Sequence, residues 1–238
     1  MEKKNNLKNN LQILQKIEKN FLKKKIKLIM IDGITCSGKT LFSKLLFNFL
    51  KKKYKVKLIS KDSFLAPRRK RIKILSNLKK QSYYNQNFLH YDHNKISKII
   101  NCFSKNNKII LKNLYYRKTG QNTKTTKFDF TKTDIIIYEG IYILDDLINT
   151  KLKSYNILVS QNVYKSLFHK IKRIRDKKIS IQKLITEFNR IHLPSFSSYL
   201  RRQRFQTCLS GDNDLFFFNK SGQKKQISDI DIFYKKHI

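Results

Sequence analysis

Residues Gly33-Ile34-Thr35-Cys36-Ser37-Gly38-Lys39-Thr40 set two glycines, a lysine and a hydroxyl residue at the spacing Gly-x4-Gly-Lys-Thr. The octet follows a short apolar run, Ile26, Leu28, Ile29, Met30 and Ile31, of buried-strand type. It precedes Leu41, Leu45, Leu46 and Phe49, which share one face of a helix. Strand, glycine-bearing turn and helix in that order admit few folds, and they are the context that the P-loop pattern requires. Glycines let the backbone turn its N–H groups inward, and the helix start adds free N–H groups and roughly half a positive charge. Such a turn is a phosphate cradle. The expectation is a nucleoside triphosphate, ATP, held along residues 33–40, with Lys39 at the β- and γ-phosphates and the Thr40 hydroxyl on Mg²⁺. Cys36 reads as a small filler of the loop.

Around this unit, apolar periodicity predicts an amphipathic helix over residues 7–21, with Leu7, Leu11, Leu14, Ile17 and Phe21 at three- and four-residue steps. Strands are predicted over 55–60, 134–139, 155–160 and 214–218, and helices over 94–104, 163–178 and 181–191. Residues 67–84, basic and then aromatic, show no strand period and are expected to form a mobile flap over a substrate. Alternating strands and helices predict an α/β fold in three layers, a mostly parallel sheet flanked by helices. With 238 residues, no internal repeat and no long linker, the chain suits an N-terminal helix over 1–24 and one domain over 25–238.

The formal net charge of +37 suggests nucleic-acid binding. Composition supplies another cause. Ala66 is the only alanine and Trp is absent, while Lys, Asn and Ile abound, as codon usage in an AT-biased genome would produce. The lysines are also dispersed along the chain. No apolar run approaches the roughly 18–20 residues of a membrane span, and the basic N-terminus lacks the apolar stretch of a signal peptide. A cytoplasmic protein is the expectation. Three scattered cysteines, Cys36, Cys102 and Cys208, make neither a disulfide framework nor a zinc site.

A P-loop does not specify a reaction; acidic residues downstream narrow it. Asp62, in Lys61-Asp62-Ser63-Phe64, follows the second predicted strand, at the sheet edge where ligands bind in such folds. A carboxylate there can take the proton of an attacking alcohol and orient its oxygen toward the γ-phosphate, although Asp-Ser is also ordinary turn chemistry. Glu139 ends the most apolar strand, before Gly140, where an acid can hold Mg²⁺ directly or through water.

In order and spacing, the P-loop, Lys61-Asp62-Ser63-Phe64, and Ile135-Ile136-Ile137-Tyr138-Glu139-Gly140-Ile141-Tyr142 resemble the uridine kinase and phosphoribulokinase superfamily. Arg173-Ile174-Arg175-Asp176 resembles its lid segment, placed around residues 165–192. The resemblance covers roughly residues 25–218. It implies a small-molecule kinase that moves the ATP γ-phosphate to a hydroxyl with Mg²⁺, a nucleoside such as uridine or cytidine being the first-ranked acceptor. It implies further that Asp62 is the general base, Glu139 the acid at the strand end, and Arg173 and Arg175 lid cations over the phosphates.

The acceptor half departs from the pattern. Asn87-Phe88 aligns with a family segment whose acid binds ribose hydroxyls, which puts Leu89 at the acidic position; Asp92 restores the acid in a shifted frame and is the preferred acceptor contact. His90 and His93 read as surface histidines. In Leu114-Tyr115-Tyr116-Arg117, Tyr116 stands where an acid is common, Tyr115 is placed to stack on a base, and Arg117 to bind a phosphate or carboxylate; a plain basic loop explains the cluster equally. Two rival readings stay open: a nucleotide-dependent protein of nucleic acids, and a diverged relative with another acceptor or no activity. Oligomeric state is open as well, a homo-oligomer included.

Overall fold

The computed structural model describes residues 2–77, 89–147, 152–174, 180–212, 215–218, 227–228, 230–232 and 235–236. In chain order the elements are α1 (Glu2–Lys23), β1 (Leu28–Asp32), α2 (Lys39–Leu50), β2 (Val56–Ser60), a 3₁₀ turn (Lys61–Phe64), α3 (Arg68–Asn77), α4 (His93–Ser104), β3 (Lys108–Tyr116), β4 (Gln121–Asp129) and β5 (Ile135–Gly140). A second 3₁₀ turn (Ile143–Leu147) leads to β6 (Ser154–Ser160), α5 (Val163–Ile174), α6 (Ile181–Glu187), a π turn (Phe188–His192), α7 (Leu193–Leu200), β7 (Thr207–Asp212) and β8 (Leu215–Phe218).

The main sheet has the order β2-β5-β1-β6-β7-β8, with β8 antiparallel to β7 and the other pairs parallel. This is an α/β fold with a mostly parallel sheet flanked by helices. Its central strands β1 and β5 are buried at every residue, which is why they read as unbroken apolar runs. Their period of two divides the core: Ile29, Ile31, Ile135 and Ile137 face one layer, while Leu28, Met30, Ile136 and Tyr138 face the other. The first layer takes α2 and also α1, whose Ile13, Leu14, Ile17 and Phe21 join the same cluster. At roughly 1.5–3 kcal/mol for each such side chain fully buried, these four hold α1 onto the sheet. Asn9 and Asn10 bond the backbone of Phe216 on edge strand β8 (2.9 and 3.1 Å), occupying polar groups that an open edge would expose.

The second layer takes α4 and a two-stranded antiparallel ribbon, β3–β4. Sequence periodicity misses this ribbon, because its exposed positions carry Lys, Asn and Thr at irregular steps. A register shift between Leu111 and Leu114, with Asn113 at φ 56°, resets the alternation. The expected flap is corrected in part: residues 68–77 form α3, whose Arg-Arg-Lys-Arg run conceals a helix, and residues 78–84 lie outside the described residues. The helix expected over 181–191 ends as α6 at Glu187 and continues through the π turn into α7. Among the described residues no helix is long and apolar enough to cross a membrane.

Candidate active site

β1 ends at Asp32 and α2 begins at Lys39, so the glycine loop sits at the carboxyl edge of the sheet between β5 and β6, where ligands bind in open α/β sheets. Cys36 and Gly38 adopt positive φ, 62° and 90°. A side chain at Gly33 would place its Cβ 2.3 Å from the Val159 carbonyl oxygen and 2.5 Å from Ser37 Oγ, so only glycine fits there. Ser37 N–H donates to Ile34 O (3.1 Å) and Lys39 Nζ donates to the same oxygen (3.2 Å). Ser37 Oγ is buried with no hydrogen-bond partner. A tight glycine loop, a helix N-terminus, an ammonium group and an unsatisfied buried hydroxyl together fit a polyphosphate.

The loop is braced from below by Asp32, a residue that sequence reasoning missed. Its buried carboxylate accepts from the N–H groups of Gly33 (2.7 Å), Tyr142 (3.2 Å) and Ile143 (3.0 Å) and from the Tyr199 hydroxyl. One side chain thus ties the P-loop to the turn after β5 and to α7. Burial raises its pKa from 3.8 to about 6, against the pull of those hydrogen bonds. A raised carboxylate stabilises the fold fully below its unfolded value, and that stability is lost as pH climbs through the folded value. In nucleotide-free protein, denaturant titrations of wild type and Asp32→Asn should therefore diverge with pH. The Asp32 contribution is expected to fall by up to about 3 kcal/mol from pH 4 to about pH 6 and to level off above. A flat difference across that window would rule out the raised carboxyl.

Asp62 lies in the 3₁₀ turn after β2, exposed, and among the described residues its carboxylate carries no ion pair or hydrogen bond. Its neighbour Lys61 is wholly buried and does the anchoring. Lys61 Nζ lies 2.9 Å from Asp146, donates to Tyr142 O (3.2 Å) and sits 4.6 Å from the centroid of the Tyr91 ring. Asp146 also accepts from Tyr138 Oη (2.8 Å) and faces His93 Nδ1 at 3.3 Å. Gly140 is glycine because a Cβ there would stand 2.5 Å from Lys61 Cβ. On the neighbouring strand end, Thr40 Oγ1 donates to Glu139 Oε2 at 3.1 Å. Two hard oxygen donors side by side at the loop suit Mg²⁺, which commonly takes one or two protein oxygens and completes its shell with phosphate and water. Among the described residues no cluster of three or more His, Cys, Asp or Glu forms a self-sufficient metal site.

These parts open on one cleft of about 910 Å³. It brings together Thr35–Thr40 of the loop, Asp62, Glu139, Tyr115 and Arg117. Asp92 does not line it. Its carboxylate caps α4 through Lys95 N–H (3.1 Å) and pairs with Lys95 Nζ (2.9 Å), the local chemistry of an Asp three residues ahead of a donor. Arg173 falls in the last turn of α5, its side chain not described, and Asn87, Phe88, Arg175 and Asp176 lie outside the described residues. Tyr115 and Tyr116 belong to strand β3, and Arg117 follows them in the hairpin turn, so the cluster is not a free loop. The cleft adds Arg68, Arg71, His90, Tyr91, His169 and His192. His90 is no surface histidine: burial, and then the charge of Arg71, lower its pKa to about 4.

A second charged cluster joins α5, α6 and the π turn. Glu187 contacts His192 Nε2 (3.0 Å) and Lys170 Nζ (3.3 Å). The His192 hydrogen bond chiefly holds Glu187 at about 2, helped by the Lys170 charge. Burial and the Lys170 charge lower the His192 pKa, and burial lowers that of Lys170.

Residues 28–210, from β1 into β7, match the family model described as Phosphoribulokinase / Uridine kinase family. Solved structures of the same fold include the YGR205w protein, with TM-score 0.63, 17% identity, and 87% of this chain and 94% of that chain covered. A possible uridine kinase from Bacillus stearothermophilus gives TM-score 0.56 and 14% identity over 77% of this chain and 88% of its own. A D-glycerate 3-kinase from Cryptococcus neoformans var. grubii gives 0.54 and 11% over 79% and 87%. No curated protein sequence matches the chain. At these identities the structural likeness establishes the fold and leaves the acceptor open.

Proposed function

We propose that this chain, which belongs to the Phosphoribulokinase / Uridine kinase family, transfers the γ-phosphoryl group of ATP to a hydroxyl of a small metabolite. The family is one of P-loop small-molecule kinases, which implies ATP binding. The observation that carries the reading is that the phosphate loop and the unpaired carboxylate of Asp62 open on one cleft. Asp62 takes the proton as the acceptor oxygen bonds to the γ-phosphorus. The bond from that phosphorus to the β,γ-bridging oxygen breaks, and ADP leaves with the electron pair. Lys39 exchanges its bond to Ile34 O for the phosphate oxygens, and the loop amides take their share of the charge. Thr40 and Glu139 would hold Mg²⁺, which supplies Lewis-acid neutralisation of the phosphate charge. Arg173 and Arg175, as lid cations, complete the proposal.

The test is direct: incubate the protein with Mg·ATP and a panel of nucleosides, hydroxy acids and sugar phosphates, and follow each acceptor by mass. One acceptor is expected to gain a single phosphoryl group, with ADP formed in equal amount. Bound ATP with no acceptor modified would replace this reading with a non-catalytic nucleotide-binding one.

A further inference from the structure

Beyond Asp62 the cleft is walled by cations. Arg68 and Arg71 come from α3, and Arg117 from the hairpin turn, three residues whose elements lock onto each other. Arg68 N–H donates to Gly120 O (2.9 Å) and its Nη2 to Arg117 O (3.3 Å). Gly120, at φ 74°, leaves room for the Arg68 guanidinium, which a Cβ would meet at 3.1 Å. Arg71 donates from Nε to Ala66 O and from Nη2 to Tyr115 Oη, both at 2.9 Å, and its guanidinium lies 5.1 Å from the Tyr115 ring centroid. Among the described residues no carboxylate pairs with any of the three. The acids lining the cleft there, among the described residues, are Asp62 and Glu139, one in the turn after β2 and one beside Thr40.

Among the described residues, the two positions expected to read a neutral nucleoside, Asp92 and Tyr115, are otherwise engaged. Asp92 is spent on the α4 cap and Lys95, and Leu89 offers no acceptor. Tyr115 is buried with one face under Arg71 and its hydroxyl bonded there, so it is no open platform for a base. Guanidinium groups supply only donors and match planar oxyanions by paired N–H bonds. Their positive charge also offsets the repulsion an anionic acceptor would meet from the ATP phosphates.

We propose that the acceptor is an anionic alcohol, its phosphate or carboxylate held by Arg71 and Arg117 with Arg68 behind them, and its hydroxyl directed at Asp62. The orientation of the hydroxyl rests on the kinase reading above; the anion subsite rests on the arginine wall alone. The experiment uses protein whose P-loop is filled with a non-hydrolysable ATP analogue, so that added anions cannot occupy the loop. Binding of ribose 5-phosphate is compared with ribose, and glycerate with glycerol, by calorimetric titration at two salt concentrations. At least one charged probe is expected to bind about tenfold or more tighter than its neutral counterpart, and to weaken as salt rises. Which charged probe wins tells phosphate from carboxylate. Arg71→Gln and Arg117→Gln are each expected to cost about tenfold or more in that binding while leaving the analogue's affinity unchanged. Arg117 is exposed, so its variant stays informative if Arg71→Gln fails to fold. Equal binding of charged and neutral probes, no binding of either, or indifference to Arg117→Gln overturns the proposal. Salt-sensitive, arginine-dependent binding with no phosphoryl transfer from Mg·ATP upholds the subsite and sinks the kinase reading instead.

Discussion

Asp62→Asn is expected to lower phosphoryl transfer by about 10²–10⁴-fold, the contribution of a positioned general base, while ATP affinity stays within about twofold. The asparagine keeps the size and one carbonyl oxygen of the aspartate, so it can still accept a hydrogen bond from the acceptor hydroxyl. It cannot keep the proton, and the attacking oxygen must then leave its proton to water. Since Asp62 is exposed and carries no ion pair or hydrogen bond among the described residues, the substitution removes no contact that holds the fold. A stability change within about 0.5 kcal/mol is expected. Single-turnover transfer, nucleotide titration and thermal unfolding on the same preparation separate these effects. Retained full turnover would falsify the assignment of the base. A collapse of ATP affinity would place Asp62 at the nucleotide instead.

Asp146→Ala should cost about 3–5 kcal/mol of stability, the range for leaving a buried charge without its partner. The carboxylate sits in the turn after β5 with both its own side chain and that of Lys61 fully buried. Removing it takes the carboxylate partner from the buried Lys61 ammonium, which keeps Tyr142 O (3.2 Å) and the Tyr91 face beside it, and takes the acceptor from Tyr138 Oη. The converse experiment tells a charge effect from a cavity effect. Lys61→Met combined with Asp146→Leu removes both charges and refills most of the space, and buried ion pairs replaced in this way are often neutral. The double variant is therefore expected to recover most of the stability lost by Asp146→Ala, as read by denaturant unfolding. If it is no more stable than the single variant, the pair is not what anchors this turn. Because Lys61 directly precedes Asp62, the pair also sets where Asp62, the proposed base, stands, so recovered stability need not restore transfer.

Much of the cleft around the glycine loop was legible in the chain. Gly33–Thr40 and Asp62 follow strands and Glu139 lies near the end of one, and in parallel α/β folds the ends of strands converge on one edge. Unbroken apolar runs located β1 and β5, because central strands buried on both faces leave such a record, and shorter apolar stretches located β6 and the edge strands β2 and β8. The ribbon β3–β4 left no such record: its strands are only half covered, and the bulge near Asn113 breaks the alternation. The acceptor side was legible only in part: Tyr115 and Arg117 line the cleft, and Asp92 does not. Asp92 is an acid at the right distance along the chain, but its first neighbours claim it as a helix cap. Arg68 and Arg71 look like solvated charge in a chain of 53 Lys and Arg residues. Their place in the cleft depends on Gly120 and Tyr115, which lie more than forty residues away.

Local pattern alone therefore determined the phosphate loop, the parallel sheet and the family, since a turn that wraps a phosphate needs its glycines, lysine and helix start contiguous in sequence. Tertiary structure decided which charges line the cleft. Side chains from α3, the β3–β4 turn and the segment before α4 meet only when the chain folds, and burial then sorts them: Asp32 becomes a brace, His90 is held neutral, and three arginines are left on the cleft wall without carboxylate partners among the described residues.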